Sequence, residues 1–113
     1  MTPAYTYRAR VRSIYDADTI RCDIDLGASV WLHNEPLRLF GINAPEVRGI
    51  EREAGLRSRD WLRERLPEGS EVVVETIKDA KGKFGRYLAR VHVGGVCLND
   101  ELVTLGLAER RDY

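Results

Sequence analysis

From Tyr5 the chain alternates. Tyr5, Tyr7, Ala9 and Val11 fall on one face, and Thr6, Arg8, Arg10 and Arg12 on the other. That period of two predicts a half-buried strand reaching Ile14. Tyr15-Asp16-Ala17-Asp18-Thr19 reads as a turn. A second strand follows, with Ile20, Cys22, Ile24 and Leu26 inward and Arg21, Asp23 and Asp25 outward. Gly27-Ala28-Ser29 turns the chain again. Val30 to Asn34 and Leu37 to Ile42 make a third strand. An edge or bulge is expected near Glu35-Pro36, because proline has no N–H for the ladder. Three strands with short turns form a meander.

The period then changes. Between Glu51 and Leu66, the residues Ala54, Ser58, Trp61, Leu62 and Leu66 fall on one helical face, and Pro67 stops the helix. Val72 opens a fourth strand reaching about Ile77. Lys78 to Gly85 reads as a polar loop, and Leu88 to Val93 as a fifth strand ended by Gly94-Gly95. Asn99 reads as the N-cap of a short helix running to about Leu105, with Gly106 as its stop. The charged tail from Glu109 to Tyr113 is expected to fray. The fold class is therefore α+β, mainly β. We expect an OB-type five-stranded barrel with a plug helix between strands 3 and 4 and a short C-terminal helix. Trp61 and Leu62 are the expected plug residues.

Composition adds limits. With 113 residues, 43% hydrophobic and 32% charged, residues 1–113 fit one globular domain with a modest core. The formal net charge is zero, so no global field advertises nucleic acid. Fifteen arginines against three lysines suit the gripping of planar anions, although codon bias gives the same skew. Cys22 and Cys97 lie in alternating segments without CxxC spacing and read as buried free thiols, the alternative being a single disulfide that no pattern supports. No run approaches membrane-spanning length, and the first residues carry no signal-peptide pattern. No membrane contact and no obligate protein partner are expected. The expected compartment is cytoplasmic, unless a leader was removed.

The chemistry-bearing stretch is Leu37-Arg38-Leu39-Phe40-Gly41-Ile42-Asn43-Ala44-Pro45-Glu46. An apolar strand carries one arginine, leaves through a glycine, turns at a proline and meets an acid. Alternation with Leu37 and Leu39 points Arg38 out of the core, so Arg38 and Glu46 could share one rim. Arginine forks phosphate or carboxylate, and glutamate takes protons. Asp16-x-Asp18 at a strand entry could hold a hard cation or could cap turn N–H groups. His33 and His92 lack clustered partners and read as non-functional.

In combination these pieces resemble the staphylococcal-nuclease-like (thermonuclease) family. The resemblance rests on Asp16-Ala17-Asp18-Thr19, on Leu37 to Glu46, and on Lys83-Phe84-Gly85-Arg86-Tyr87-Leu88-Ala89. It continues through Asn99-Asp100-Glu101-Leu102-Val103 and Gly106-Leu107-Ala108, all in the family's order. It implies an OB-type barrel and a calcium-dependent nuclease that cleaves DNA and RNA with little base preference, leaving 3′-phosphate ends. The implied catalytic residues are Arg38, Glu46 and Arg86. The implied calcium ligands are Asp18, Asn43 and the Ala44 carbonyl, with Asp16 behind them. Lys83 and Phe84 fall where the family touches its nucleotide.

The roles make physical sense. Two guanidinium forks could clamp the oxygens where charge builds, Glu46 could orient or deprotonate a water, and calcium could act as Lewis acid and template. Asn43 stands where the family has an aspartate; it keeps an oxygen but removes one charge, which implies a weaker metal site. Phe84 replaces a tyrosine and keeps the stacking face. The long C-terminal helix of the secreted nuclease has no counterpart here, and the loop after Glu46 is shorter; either change would reshape the groove. The alternative reading is a non-catalytic module of the same family that binds nucleic acid or a protein tail.

Overall fold

The computed structural model describes residues 5–81 and 86–111. In chain order the elements are β1 (Thr6–Asp16), β2 (Thr19–Gly27), β3 (Val30–Leu39) and β4 (Ile42–Asn43). A 3₁₀ turn, Gly49–Glu51, then runs straight into α1 (Arg52–Arg65). After it come β5 (Glu71–Lys81), β6 (Tyr87–Val93), β7 (Val96–Cys97), α2 (Leu98–Thr104) and β8 (Glu109–Arg110). The strand order β3-β2-β1-β5-β6 returns to β3, because β6 pairs with β3 in parallel over Leu37–Tyr87, Arg38–Leu88 and Leu39–Ala89. Every other pairing is antiparallel. The result is a closed five-stranded mixed barrel of the OB type, with the helix between its third and fourth barrel strands as expected. The closing contact covers only the last three residues of β3, so residues 30–36 pair with β2 on one side alone.

Alternation builds most of the core. Ala9, Val11, Ile20, Cys22, Ile24, Leu37, Leu39, Val72, Val74, Ala89 and Val91 are all buried. Where alternation stops, the register explains it. The β1–β2 pairing shifts between Val11 and Ser13, and this bulge brings Ile14 inward in place of Ser13. The irregularity expected near Pro36 falls just before it. Asn34 adopts a positive φ, and its N–H is caught by Asp23 Oδ1 at 2.8 Å. Pro36 itself stays in β3, opposite Arg21. The β6 partner begins only at Leu37, so the missing N–H is not needed there. Tyr5 and Leu26, expected inward, are exposed at their strand ends.

Four further expectations change. β5 runs on to Lys81, which pairs with Tyr87 after a register shift, so strand replaces the first part of the expected loop. Asn99 is not an N-cap: Cys97 is. Leu98 and Leu102, four apart and both fully buried, start the helix one residue before Asn99 and turn it onto the core. The buried Asn99 amide serves the barrel instead. It accepts from the Val91 N–H at 3.1 Å and donates to the carbonyls of Phe40 at 2.9 Å and Ala89 at 3.1 Å. That is where β3 and β6 part and would leave backbone groups unsatisfied. The tail does not fray through Glu109–Arg110, which pairs with Ile42 and Asn43. Finally, Cys97 is only half-buried, and both cysteines are free.

The plug also differs in detail. α1 buries Gly55, Ser58 and Leu62, and Leu66 follows at its end; Trp61 packs on the margin and is half-buried. Small residues face inward because neighbouring chain comes close. A Cβ on Gly55 would fall on the Glu46 carbonyl, and Ser58 Oγ donates to the Leu107 carbonyl at 2.7 Å. The Arg63 guanidinium adds two bonds to the Ile14 carbonyl, at 3.2 and 2.8 Å.

Candidate functional site

β1 and β2 are joined by only two residues, Ala17 and Asp18, with Asp16 opposite Thr19. Ala17 is fully buried, and the turn folds onto the end of β3. The Asp18 carbonyl takes the Leu39 N–H at 2.8 Å. Asp18 Oδ2 takes the Ala44 N–H at 2.7 Å and lies 3.4 Å from Arg38 Nη1. The same Nη1 donates to the Leu39 carbonyl at 3.0 Å, and Nη2 donates to Asn43 Oδ1 at 2.9 Å.

Arg38 is thus not a rim residue projecting into water. It is 8% exposed, flanked by buried Leu37 and Leu39, and its burial is tolerated because its charge is paired and hydrogen-bonded. Arg86 sits one residue before β6. Its Nη1 donates to Thr19 Oγ1 at 3.2 Å, and Thr19 Oγ1 donates to Asp18 Oδ1 at 3.2 Å. Thr19 and Asp18 therefore join the two arginines through one chain of contacts.

Glu46 comes to the same place by a different route. The 3₁₀ turn and α1 press close against the Glu46–Val47 backbone, which the absence of a Cβ at Gly55 permits. The Glu46 N–H faces Glu51 Oε1 at 3.5 Å. A cleft of about 430 Å³ results, lined by Asp18, Arg38, Asn43, Ala44, Glu46 and Arg86 among others. All the sequence-predicted residues within the described chain are brought together there. Lys83 and Phe84 lie outside the described residues. His33 stands beside Asp23 at 3.6 Å and His92 beside Glu75 at 3.3 Å; neither lines the cleft.

Three wall residues belong to no motif singled out in the sequence: Glu51, Glu109 and Arg111. Thr19 stood in the Asp16-to-Thr19 motif without a role of its own; its hydroxyl links Arg86 to Asp18. Arg111 reaches the wall because β8 pairs with β4 and its N–H donates to the Gly41 carbonyl at 2.9 Å, a non-local pairing with no local pattern.

Electrostatically, the two acids of the turn differ. Burial, and then the adjacent Asp18 carboxylate, raises the Asp16 pKa from 3.8 to about 7. Asp16 Oδ1 also accepts the Asp18 N–H at 3.2 Å. The possible metal donors are oxygens only: the Asp18 carboxylate, the Asn43 amide oxygen and the Ala44 carbonyl. Among the described residues no group of three His, Cys, Asp or Glu side chains is placed to hold a metal. The donors are of the type a hard cation takes. A carboxylate has about four lone-pair positions, so the bonds that Asp18 already accepts leave capacity for a cation.

The family model of staphylococcal nuclease homologues matches residues 36–113, more than half of the chain. The chain belongs to the staphylococcal nuclease homologue family. No curated protein matches it significantly. In this nuclease-homologue chain, the matched segment holds Arg38, Asn43, Ala44, Glu46 and Arg86. Asp16, Asp18 and Thr19 precede it, yet the barrel closes them onto the same cleft. A domain of this family is consistent with nuclease action or nucleic-acid binding.

Proposed function

We propose that this nuclease-homologue domain hydrolyses phosphodiester bonds in DNA and RNA, with little sequence preference, and leaves 3′-phosphate ends. The observation that carries the reading is the sharing of one cleft by Arg38, Glu46 and Arg86 with Asp18 and Asn43. Arg38 is held by three protein acceptors and Arg86 by Thr19. Guanidinium groups fixed in advance stabilise developing charge without reorganising during the reaction. Glu46 takes a proton from water as the water oxygen bonds to phosphorus. The bond from phosphorus to the 5′ oxygen breaks, the leaving oxygen takes up a proton, and the 3′ side keeps the phosphate. Calcium, which the family typically uses, would be held by Asp18, Asn43 and the Ala44 carbonyl and would supply Lewis acidity to a phosphoryl oxygen. Lys83 and Phe84 would contact the nucleotide.

The second reading, a module that binds nucleic acid without cutting it, is favoured by one observation. Both terminal nitrogens of Arg38 already have protein acceptors. The test is digestion of plasmid and of single-stranded DNA and RNA, with calcium and with chelator. Calcium-dependent fragments that ligate only after their 3′-phosphates are removed and their 5′-hydroxyls are phosphorylated support hydrolysis. Retained binding with no cleavage in calcium, magnesium or manganese supports the module.

A further inference from the structure

Beside the main cleft lies a second depression of about 130 Å³. It is lined by Tyr15, Asp16, Glu46, Val47 and Arg48, and it shares Asp16 and Glu46 with the cleft. Two of its residues have no part in the chemistry above. Tyr15 is the second-last residue of β1 and is 52% exposed. Arg48 lies two residues after Glu46, is exposed, and donates from Nη2 to the Tyr15 hydroxyl at 2.8 Å.

A single exposed tyrosine means little by itself. This one stands next to the acid turn, lines one depression with Glu46, and has a guanidinium at its hydroxyl. Aromatic rings stack unpaired bases of any sequence, and arginine meets the phosphate that follows. The Glu46 carboxylate in the lining disfavours a phosphate beside it, which leaves that part of the depression to a base and the phosphate to Arg48.

We propose that Tyr15 and Arg48 form a subsite for a nucleotide adjoining the cleaved bond of a single-stranded nucleic acid. Tyr15 stacks its base and Arg48 contacts its phosphate. The inference rests on the nuclease reading and narrows it: the preferred substrate is a single strand that extends past the scissile bond, because a paired base cannot lie on Tyr15.

The test measures binding of a fluorescent thymidine 12-mer and of a thymidine dinucleotide, in chelator, to wild type, Tyr15→Ala, Tyr15→Phe and Arg48→Ala. Cleavage of the same 12-mer by wild type in calcium is read in parallel. Tyr15→Ala should weaken 12-mer binding by about fivefold or more. Tyr15→Phe, which keeps the ring and loses the bond to Arg48, should stay within about twofold of wild type. Arg48→Ala should weaken 12-mer binding and lower its log–log salt slope by about 0.7. The dinucleotide, whose two nucleotides adjoin one bond, should bind more weakly and rank the proteins in the same order.

Equal weakening by Tyr15→Phe and Tyr15→Ala would make the pair a latch for the Glu46 loop and overturn the subsite. So would unchanged 12-mer binding by all three variants, and with wild type still cleaving, the nuclease reading would stand alone. Loss of binding in Tyr15→Ala and Arg48→Ala, with a wild type that binds but never cleaves, would support the subsite and remove only hydrolysis. A wild type that neither binds nor cleaves the strand would overturn both.

Discussion

The Ala44 N–H donates to Asp18 Oδ2 at 2.7 Å, across twenty-six positions of sequence. This bond ties the β1–β2 turn to the segment that follows β3, and so to Asn43 and Glu46. With the 3.4 Å approach of Arg38 to the same oxygen, it makes Asp18 the hub of the cleft. Asp18→Ala should therefore abolish calcium-stimulated cleavage. It should also destabilise the fold by roughly 3–5 kcal/mol, because it leaves Arg38 buried without its carboxylate. Denaturant titration read beside the cleavage rate checks both; unchanged stability would show that Arg38 draws nothing from Asp18.

Asn43 Oδ1 accepts from Arg38 Nη2 at 2.9 Å, and Asn43 lines the same cleft as Asp18. Asn43→Asp keeps that oxygen and adds one negative charge. It should lower the calcium concentration for half-maximal cleavage and tighten calcium binding in calorimetry. A midpoint that does not move would place Asn43 outside the metal's reach.

Gly55 determines where Glu46 can sit. In Gly55→Ala the new methyl group would meet the Glu46 carbonyl, and backbone cannot move aside as a flexible side chain can. The expected cost is about 1–3 kcal/mol of stability. Cleavage should fall about a hundredfold at temperatures where the variant is still folded, since a small misplacement of a catalytic group is enough. Full activity in a folded Gly55→Ala protein would separate Glu46 from the reaction.

Much of this fold is written in the local pattern. The meander, the barrel and the interposed helix follow from periods of two and 3.6, because each strand buries one face. The misreadings arise where distant chain decides. The burial of Arg38 follows from Asp18 and Asn43 reaching it, not from Leu37 and Leu39. Asn99 acts inside the barrel seam because Phe40 and Ala89 need a donor there. Glu109 and Arg110 are ordered by β4. The helix face is rotated by the demand for small residues at Gly55 and Ser58, which moves Trp61 to the margin. Of the site, the residue types and their grouping were legible; the hub role of Asp18 and the wall formed by Arg111 were not.

That rotation predicts an inverted order of stability losses. Leu62 is fully buried, and Leu62→Ala should cost about 2–5 kcal/mol. Trp61→Ala, although it removes a larger side chain, should cost only about 1–2 kcal/mol. Urea denaturation of the two variants settles the order, and a larger loss at Trp61 would contradict the observed helix face.

Asp16 gives the fold a pH dependence. Its folded pKa of about 7 lies above its ordinary value of 3.8, so between these values the folded chain holds a proton that the unfolded chain has released. Its contribution to stability therefore falls as pH rises through that window. Asp16→Asn should flatten the stability profile between about pH 4 and pH 7, measured in chelator, and should be the more stable protein at pH 8. A profile identical to wild type would show that Asp16 ionises as an ordinary surface acid.

The most direct test of the central claim is the single-turnover cleavage rate of single-stranded DNA in calcium by wild type, Glu46→Gln, Arg38→Lys and Arg86→Lys, each confirmed folded by its denaturation midpoint. Lysine keeps the charge but loses the planar fork. The account predicts calcium-dependent cleavage by wild type and a fall of at least about a hundredfold in each variant, with DNA binding largely kept. Cleavage at the wild-type rate in any folded variant, or no cleavage by wild type itself, would contradict it.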